Sequence, residues 1–317
     1  MPGPGARPPR QRVDGVLLLD KPSGVSSNAA LQRARRALNA EKAGHTGTLD
    51  PLASGLLPLC FGEATKFARF LLDADKRYTA TVRFGAATTT QDAEGEVVAT
   101  GPVPADRAAI EAALPAFRGA LRQVPPAYSA LKHQGRKLYD YARAGIEVPR
   151  PPRDVHVAAL TLRDWRPPDA VVDVACSKGT YVRALAADLG AALGTVAHLA
   201  ALRRDATGGF ALADAVALEA LEAMAAGDRV RRLLPADVLL RDLPCVALDA
   251  AASDALRHGR TAPGHDVAEG VVVCARDPDG RVIGIARGDA GRLVAVRMAA
   301  ETARQDRPDA AQDMPLT

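Results

Sequence analysis

One carboxylate, Asp50, stands in the segment of the sequence best suited to chemistry, Gly44-His-Thr-Gly-Thr-Leu-Asp-Pro51. Gly44 and Gly47 allow backbone angles that other residues avoid, and Pro51 pushes Asp50 out of the helical region. The small and apolar residues that follow predict a buried segment. We therefore expect Asp50 to be held rigidly at a cleft, where a carboxylate can act as a nucleophile or as a base.

A structural role for Asp50 is also open at this point. Pro51 suits the first position of a helix, so Asp50 could cap a helix over residues 51–57. On local chemistry alone, this capping role is the more common one.

Two other side chains could serve such a carboxylate. Arg183 falls in the first turn of a helix predicted near residues 181–193, where a cation meets the positive end of the helix dipole. A distant carboxylate would explain this placement, although an exposed arginine is equally compatible with it. Tyr78 falls on the apolar side of a strand predicted over residues 76–85, where a buried hydroxyl needs a partner. A core aromatic residue gives the same pattern.

Positive charge is concentrated in one part of the chain. Residues 118–166 contain ten Lys or Arg against four Asp or Glu, a net charge of +6 that exceeds the +4 of the whole chain. Basic groups interleaved with aromatic rings suit phosphates and unstacked bases, and a solvated basic face is the alternative. The tyrosines among these cations are Tyr128, Tyr139 and Tyr141. The candidate phosphate contacts are Lys132, Arg136 and Lys137.

Composition narrows the class of protein. The 317 residues, 48% hydrophobic and 25% charged, are typical of a globular protein with two domains. The longest apolar run near the N-terminus is too short to span a bilayer, and the Pro/Gly/Arg-rich start is unlike a secretory signal. The four cysteines are widely spaced, which indicates neither a zinc site nor a redox pair. They fit free thiols in a reducing cytoplasm.

Strand and helix patterns divide the chain into two folded parts. Strands mixed with helices over residues 13–243 predict an α+β core with a mixed β-sheet flanked by helices. Short strands separated by hairpin turns predict a small β-rich domain over residues 244–298. The basic arm at 1–12 and the polar tail at 299–317 are expected to be disordered.

A family resemblance connects these residues. The run from Gly44 to Gly55, GHTGTLDPLASG, resembles the signature of the TruB family of tRNA pseudouridine synthases. Ser54 and Leu56 stand where threonine and valine are common, and this departure touches no catalytic position. Other segments resemble further motifs of the family, in family order: Lys21-Pro22, Lys76-Arg77-Tyr78, Gly179 to Arg183 and His198 to Arg204.

The resemblance implies a role for each candidate residue. Asp50 would be the catalytic nucleophile, Arg183 its ion-pair partner, and Tyr78 the ring that stacks on the target base. The further residues implied to bind the flipped nucleotide are His45, Tyr181 and Leu202. The residues expected to bind RNA are Lys132, Arg136, Lys137, Arg203 and Arg204. The resemblance also implies an RNA-binding insertion at about 118–153 and a PUA-like RNA-binding domain at 244–298.

The implied reaction is isomerisation of uridine 55 in the T-loop of tRNA to pseudouridine. The N1–C1′ bond breaks and a C5–C1′ bond forms without redox change, so no metal and no cofactor are expected. A uridine in a folded loop must first be flipped out. The sequence leaves open whether Asp50 attacks the base, attacks the sugar or removes a sugar proton. The expected partner is the T-arm of tRNA, with no membrane and no protein partner.

Three other functions deserve comparison. A noncatalytic RNA-binding or RNA-chaperone protein would need the basic window but neither Asp50 nor Tyr78. A hydrolase with an aspartate nucleophile is disfavoured by the lack of a second carboxylate, histidine or metal cluster placed to activate water. A guide-RNA-dependent enzyme is disfavoured because the chain lacks large basic extensions.

Overall fold

The computed structural model describes residues 9–264 and 266–299. The chain divides into two compact units, Met1–Ala236 and Asp237–Thr317. The first unit spans most of the region predicted as the α+β core, and the second spans the region predicted as a β-rich domain.

The first unit mixes strands and helices along the chain. Its strands within the described residues are β1 (Gly15–Lys21), β2 (Ala43–His45), β3 (Ser54–Phe61), β4 (Lys76–Phe84), β5 (Ala86–Thr88), β6 (Val97–Thr100), β7 (Gly119–Gln123), β8 (Lys132–His133), β9 (Arg136–Lys137), β10 (Arg153–Arg166), β11 (Asp169–Cys176), β12 (Ala197–Thr207), β13 (Phe210–Ala211) and β14 (Val216–Ala217). Its helices are α1 (Ser27–Ala37), α2 (Ala68–Leu72), α3 (Arg107–Ala113), α4 (Leu138–Arg143), α5 (Val182–Ala192), α6 (Leu218–Ala223) and α7 (Ala226–Arg231). Short 3-10 turns lie at Gly62–Lys66, Leu114–Phe117 and Leu212–Asp214.

A ten-stranded mixed sheet organises this unit. Its main path runs β14-β1-β3-β12-β4-β11-β10-β7, with β13 paired to β12 and β2 paired to β3. The β1–β14 and β3–β12 pairs are parallel, and the other pairs of the path are antiparallel. Two hairpins, β5–β6 and β8–β9, lie outside it. The predicted mixed sheet is therefore confirmed.

The strand β3 corrects one sequence expectation. The residues after Pro51 form an almost fully buried strand instead of a helix over 51–57. Strand β1 covers one edge of β3 in antiparallel register, from Gly15 opposite Phe61 to Lys21 opposite Gly55. A strand enclosed by neighbours reads as a continuous apolar run, which local sequence does not distinguish from a buried helix. Asp50 is therefore not the cap of a helix.

Two apolar clusters fill the first unit. One is built mainly from β4, β10, β11, α5 and β12. The other is built mainly from β1, α1, β3 and α6. Tyr78 on β4 and Leu202 on β12 are half-buried and pack against both clusters. These two side chains therefore mark the seam between the two clusters.

The backbone pairing between strands is short at this seam. Strands β3 and β12 share two register pairs, Arg203 with Ser54 and Arg204 with Gly55. Gly55 has φ +98°, and a Cβ there would lie 2.4 Å from the Arg204 carbonyl oxygen. Only glycine lets the two backbones approach this closely.

The second unit is small and β-rich. Within its described residues its elements are β15 (Cys245–Ala247), α8 (Ala250–Arg257), β16 (Ala262–Pro263), β17 (Val272–Arg276), β18 (Val282–Asp289) and β19 (Arg292–Met298), and a 3-10 turn over Ala236–Leu240 precedes them. The strands form one sheet in the order β15-β17-β18-β19-β16. Its apolar core includes Leu256 of α8, Ile283 of β18 and Leu293 of β19. The prediction of short strands in this region is confirmed.

The two ends of the chain were expected to be disordered. Residues 1–8 of the arm and 300–317 of the tail lie outside the described residues. Gln11 forms a β-bridge with Ala40, and its N–H donates to the Asn39 carbonyl at 2.9 Å. Residues 11 and 12 therefore belong to the folded unit. None of the described helices is long and apolar enough to cross a membrane.

Replacing Gly55 by alanine tests whether the backbones of β3 and β12 approach this closely. We expect Gly55→Ala to lower the free energy of unfolding by more than the about 1–3 kcal/mol of a strained backbone angle alone, because its Cβ also meets the Arg204 backbone. Gly194→Ala is the matched control, since Gly194 has φ +68° and its Cβ would meet nothing within 4 Å. Chemical denaturation measures both, and equal losses would contradict the close approach.

Candidate active site

Asp50 and Arg183 form an ion pair, as the sequence predicts. Arg183 is the second residue of α5, and its Nε lies 3.0 Å from Asp50 Oδ2. The Nε–H is not aligned as a hydrogen bond to that oxygen, so the contact is a close ion pair. The Arg183 side chain is 5% exposed, whereas that of Asp50 is 39% exposed. The carboxylate therefore remains open to a substrate while the cation is enclosed.

Two other segments hold the Arg183 guanidinium. Its Nη1 donates to the Thr90 carbonyl at 2.9 Å, and its Nη2 donates to the Tyr128 carbonyl at 2.8 Å. Nη1 also lies 3.5 Å from Asp92 Oδ2. A buried charge needs such compensation, and here it fixes the direction of the guanidinium.

Asp92 is a second carboxylate that sequence reasoning missed. It is 3% exposed and lies in the turn after β5. The Thr90 hydroxyl donates to its Oδ1 at 2.5 Å, and the Glu94 N–H donates to the same oxygen at 3.0 Å. The sequence signal was an aspartate among turn formers, which is too common to single out. Asp92 faces Arg183 and does not line the cavity beside Asp50.

The pKa of Asp50 is raised above its ordinary value. Burial in the protein raises the pKa most, the Arg183 charge lowers it, and the Asp92 charge raises it further. The expected effect of a nearby cation is thus present, but desolvation outweighs it. The ionised carboxylate is consequently less stable than in water, and it is more basic.

A cavity of about 310 Å³ opens beside Asp50. This volume is within the range of small-ligand sites. Among the predicted residues, Asp50, Tyr78, Tyr181, Arg183, Leu202 and Arg204 line it. The loop residues Ser129, Ala130 and Leu131, from the predicted insertion, also line it. The structure thus brings five of the six residues predicted for catalysis or nucleotide binding to one cavity.

His45, the sixth, is not among the residues lining this cavity. It ends β2, where it is paired in register with Leu59, and it is half-buried. Burial lowers the pKa of His45, and the nearby Arg204 charge lowers it further. The imidazole is therefore neutral at physiological pH, and an acid–base role is not required of it.

The two tyrosines of the cavity are protonated. Burial raises the pKa of Tyr78, with the Arg204 charge partly opposing it. Burial likewise raises the pKa of Tyr181. At neutral pH each phenol is a hydrogen-bond donor and an apolar ring surface, which suits contact with a planar base.

Arg204 is buried, unlike the other predicted RNA contacts. It is 1% exposed, and its guanidinium donates to the carbonyls of Leu56 at 2.7 Å and Gly47 at 3.2 Å. A side chain held this way braces the segment before Asp50 from inside the sheet. The guanidinium of Arg204 is not on the surface, and the residue lines the cavity, so its binding to RNA stays a prediction.

The other predicted RNA contacts are on the surface. Arg203 is exposed and pairs with Asp20 at 3.0 Å. The exposed cations of the β8–β9 hairpin are Lys132, Arg136 and Lys137. Arg136 lies over the Tyr141 ring at 4.8 Å, and Lys137 lies over the Tyr139 ring at 5.2 Å. The basic and aromatic side chains are thus interleaved, as the sequence predicts.

Two lysines near the site are buried. Lys21 is fully buried, and its Nζ donates to the Pro22 and Val25 carbonyls at 2.8 and 2.5 Å. Burial lowers the pKa of Lys21 to about 8, against the raising effect of Asp50. Lys76, which sequence reasoning left without a role, lines the cavity, and burial lowers its pKa to about 8. The sequence did offer a signal, because residues two apart on a strand lie on the same face, and Lys76 is two residues before Tyr78 on β4.

Metal binding has no support in the described residues. Among them, no group of three or more His, Cys, Asp or Glu side chains is arranged to hold an ion. The groups that line the cavity include one carboxylate, its buried arginine partner, two phenols, the cations Lys76 and Arg204, and an apolar wall.

Comparison with known families agrees with this site. Residues 35–182 match the model of the TruB family pseudouridylate synthase N-terminal domain, and residues 183–241 match that of the tRNA pseudouridylate synthase B C-terminal domain. The chain belongs to the TruB family of pseudouridylate synthases. The resemblance predicted from the sequence motifs is confirmed.

Individual relatives cover nearly the whole chain. The tRNA pseudouridine synthase B of Thiobacillus denitrificans is 59% identical over 294 residues, 93% of this chain and 98% of that protein. The protein of the same name from Burkholderia mallei is 54% identical over 301 residues, 93% of this chain and 97% of its own length. A chain of the solved Cbf5-Nop10-Gar1 complex has a TM-score of 0.69 and 26% identity, with 90% of this chain and 84% of that chain covered. The predicted fold class, a pseudouridine synthase core with a small β-rich PUA-like domain, is confirmed.

Replacing Asp92 by asparagine should change the pH dependence of the reaction. Asparagine keeps an acceptor for Thr90 and Glu94 but removes a charge that raises the pKa of Asp50. If the reaction needs ionised Asp50, its rate falls as pH drops through that pKa. We expect Asp92→Asn to move this acid limb to lower pH, and to slow turnover about tenfold or more as Arg183 loses an anchor.

Single-turnover rates across a pH series measure this shift. Asp169→Asn, which removes a surface carboxylate paired with Arg83 at 2.7 Å, controls for the change in net charge. An acid limb that stays in place in Asp92→Asn would show that Asp92 does not influence Asp50.

Proposed function

We propose that this chain isomerises uridine 55 in the T-loop of tRNA to pseudouridine, with Asp50 as the nucleophile. The observation that carries the proposal is the 3.0 Å ion pair between partly exposed Asp50 and buried Arg183 at the edge of a cavity. A carboxylate fixed in this way, with its pKa raised, is a better nucleophile than one in water. Family membership supplies the reaction class.

The cavity suits the stage between cleavage of the N1–C1′ bond and formation of the C5–C1′ bond. After the N1–C1′ bond breaks, the uracil must be retained and turned so that C5 faces C1′. Tyr78, Tyr181 and Leu202 provide two ring surfaces and an aliphatic wall for this purpose. The proton lost from C5 passes to solvent or to an acceptor group, and N1 gains a proton, so the atoms balance without a cofactor. We assign Tyr78 the stacking role, with its protonated hydroxyl as a donor.

A target in a folded loop has to reach this cavity. We propose that the nucleotide is flipped out of the T-loop, while Lys132, Arg136 and Lys137 hold the backbone of the T-arm. These cations are exposed on the β8–β9 hairpin. The loop preceding that hairpin lines the cavity at Ser129 to Leu131. The proposed RNA contacts and part of the cavity wall therefore lie on the same segment of the chain.

The geometry of the site does not favour the two alternative functions, an aspartate hydrolase and a purely RNA-binding protein. An aspartate hydrolase needs a second group that activates water in the cavity. Asp92 is the second carboxylate, but its side chain is 4% exposed, faces Arg183 and does not line the cavity. A purely RNA-binding protein would have no need for a buried arginine aimed at a cavity carboxylate. The four free cysteines are compatible with action in the cytoplasm, where we place the enzyme.

Loss of the Asp50 charge tests the proposal most directly. Asp50→Asn should abolish tritium release from tRNA that carries 5-tritiated uridine, because C5–H loss accompanies the isomerisation. Binding of tRNA should stay nearly unchanged, since the two side chains are similar in size. Asp50→Ala controls for lost packing. Sustained turnover by a sample of Asp50→Asn free of deamidated protein would remove Asp50 from its role.

Neutralising the hairpin cations tests the RNA contacts. A Lys132, Arg136 and Lys137 triple glutamine variant should weaken binding to all tRNAs alike. Each lost phosphate contact should reduce the slope of log K against log salt by about 0.9 on duplex-like sites. Filter binding across a salt series measures both quantities. If slope and affinity are unaltered, the backbone contacts lie elsewhere, with exposed Arg203 as the next candidate.

A further inference from the structure

One or two residues before each partner of the catalytic pair lies a residue whose backbone N–H and carbonyl are both bound by one buried side chain. On the Asp50 side this residue is Leu49. The Ser27 hydroxyl donates to the Leu49 carbonyl at 2.8 Å and accepts from the Leu49 N–H at 2.8 Å. Ser27 is 2% exposed and is the first residue of α1.

On the Arg183 side the corresponding residue is Tyr181. The Gln123 amide Nε2 donates to the Tyr181 carbonyl at 3.0 Å, and the Tyr181 N–H donates to Gln123 Oε1 at 2.8 Å. Gln123 is 5% exposed at the end of β7. The Tyr181 carbonyl also accepts from the Leu185 N–H at 3.1 Å, so the glutamine is joined to the first turn of α5.

The clamped residues lie where regular structure cannot position them. Leu49 and Tyr181 are both outside the strands and helices. Tyr181 precedes α5 without a side-chain cap on the helix. Because a peptide unit is planar, holding the carbonyl of Leu49 also orients the N–Cα bond of Asp50. Holding both polar groups of Tyr181 sets the direction in which α5 carries Arg183.

Neither clamping side chain reaches the reacting groups. Ser27 and Gln123 are not among the residues lining the cavity. The hydroxyl of Ser27 is not the α1 cap either, because Ser26 takes that role by accepting from the Ala29 N–H at 3.1 Å. Both side chains are thus committed to the backbone of the catalytic segments.

We propose that Ser27 and Gln123 are positioning residues that set the Asp50–Arg183 geometry from its two sides before substrate binds. The inference rests on the proposed function, since it concerns the same ion pair. Ser27 acts on the segment that ends in Asp50, and Gln123 acts on the start of α5. Preformed geometry of this kind removes a reorganisation step from the reaction.

Ser27→Ala and Ser26→Ala form a matched pair for the first clamp. Both are the same substitution at neighbouring positions, and both remove one hydroxyl from the start of α1. Only Ser27→Ala frees Leu49. We expect it to lower the single-turnover rate of tritium release about tenfold or more, with tRNA affinity retained, whereas Ser26→Ala keeps a near wild-type rate. Equal rates for the two variants, or rate losses that follow thermal stability alone, overturn the inference.

Gln123→Glu tests the second clamp through a pH profile. The carboxylate still accepts from the Tyr181 N–H but repels the Tyr181 carbonyl, whereas its protonated form can donate to that carbonyl again. The ratio of variant to wild-type single-turnover rate should therefore rise as pH falls. Taking this ratio cancels the dependence on Asp50 ionisation. A ratio that is flat or falls with decreasing pH contradicts the clamp.

Further controls separate the possible failures. Gln123→Met keeps the length of the side chain without its hydrogen bonds and should be slow at every pH. If Ser27→Ala does not fold, Gln123→Glu decides, because its deficit is reversible in one folded sample. An inactive Asp50→Asn together with wild-type rates in both clamp variants would refute the clamps alone. An active Asp50→Asn would instead refute the proposed function.

Discussion

The arrangement of this active site depends on one buried guanidinium. Arg183 joins the carboxylate of Asp50 to the turn that carries Thr90 and Asp92 and to the Tyr128 carbonyl. These groups come from three segments far apart in the chain. A cation in the interior is tolerated only while its partners stay in place, so its burial enforces their convergence. The fold can therefore bury Arg183 only when the groups of the site are in these positions.

The position of the cavity follows from how the core is divided. Tyr78 and Leu202 pack against both apolar clusters of the first unit, so the cavity opens where neither cluster is complete. The surrounding protein removes water from ionisable groups, which raises the pKa of Asp50 and lowers that of Lys76. Both shifts disfavour charge, and Arg183 is the group that counters the effect on Asp50. The result is a carboxylate of increased basicity beside an apolar wall.

Sequence reasoning succeeded where the signal was local or carried by a motif. Alternation identified β4 and the side of Tyr78, and the motifs selected Asp50 and Arg183. It failed where the structure depends on contacts between residues that are far apart in the sequence. The strand β3 was read as a possible helix because only β1 and β12 reveal its enclosure. Asp92 escaped notice because its value comes from meeting Arg183, and the burial of Arg204 was not foreseen because an apolar-basic pattern does not show which side of β12 is covered.

The short parallel ladder between β3 and β12 has a mechanical consequence. Asp50 belongs to the part of the molecule that contains β3, whereas Arg183 and Tyr78 belong to the part that contains β12 and β4. Two register pairs centred on Gly55 join these parts within the sheet. Within the described residues, no pair on the main path of the sheet has fewer register pairs than β3–β12, and the Asp50–Arg183 ion pair connects the two parts across it. Any splaying of the halves lengthens the contact between carboxylate and guanidinium, so the elasticity of the scaffold enters directly into the reactivity of Asp50.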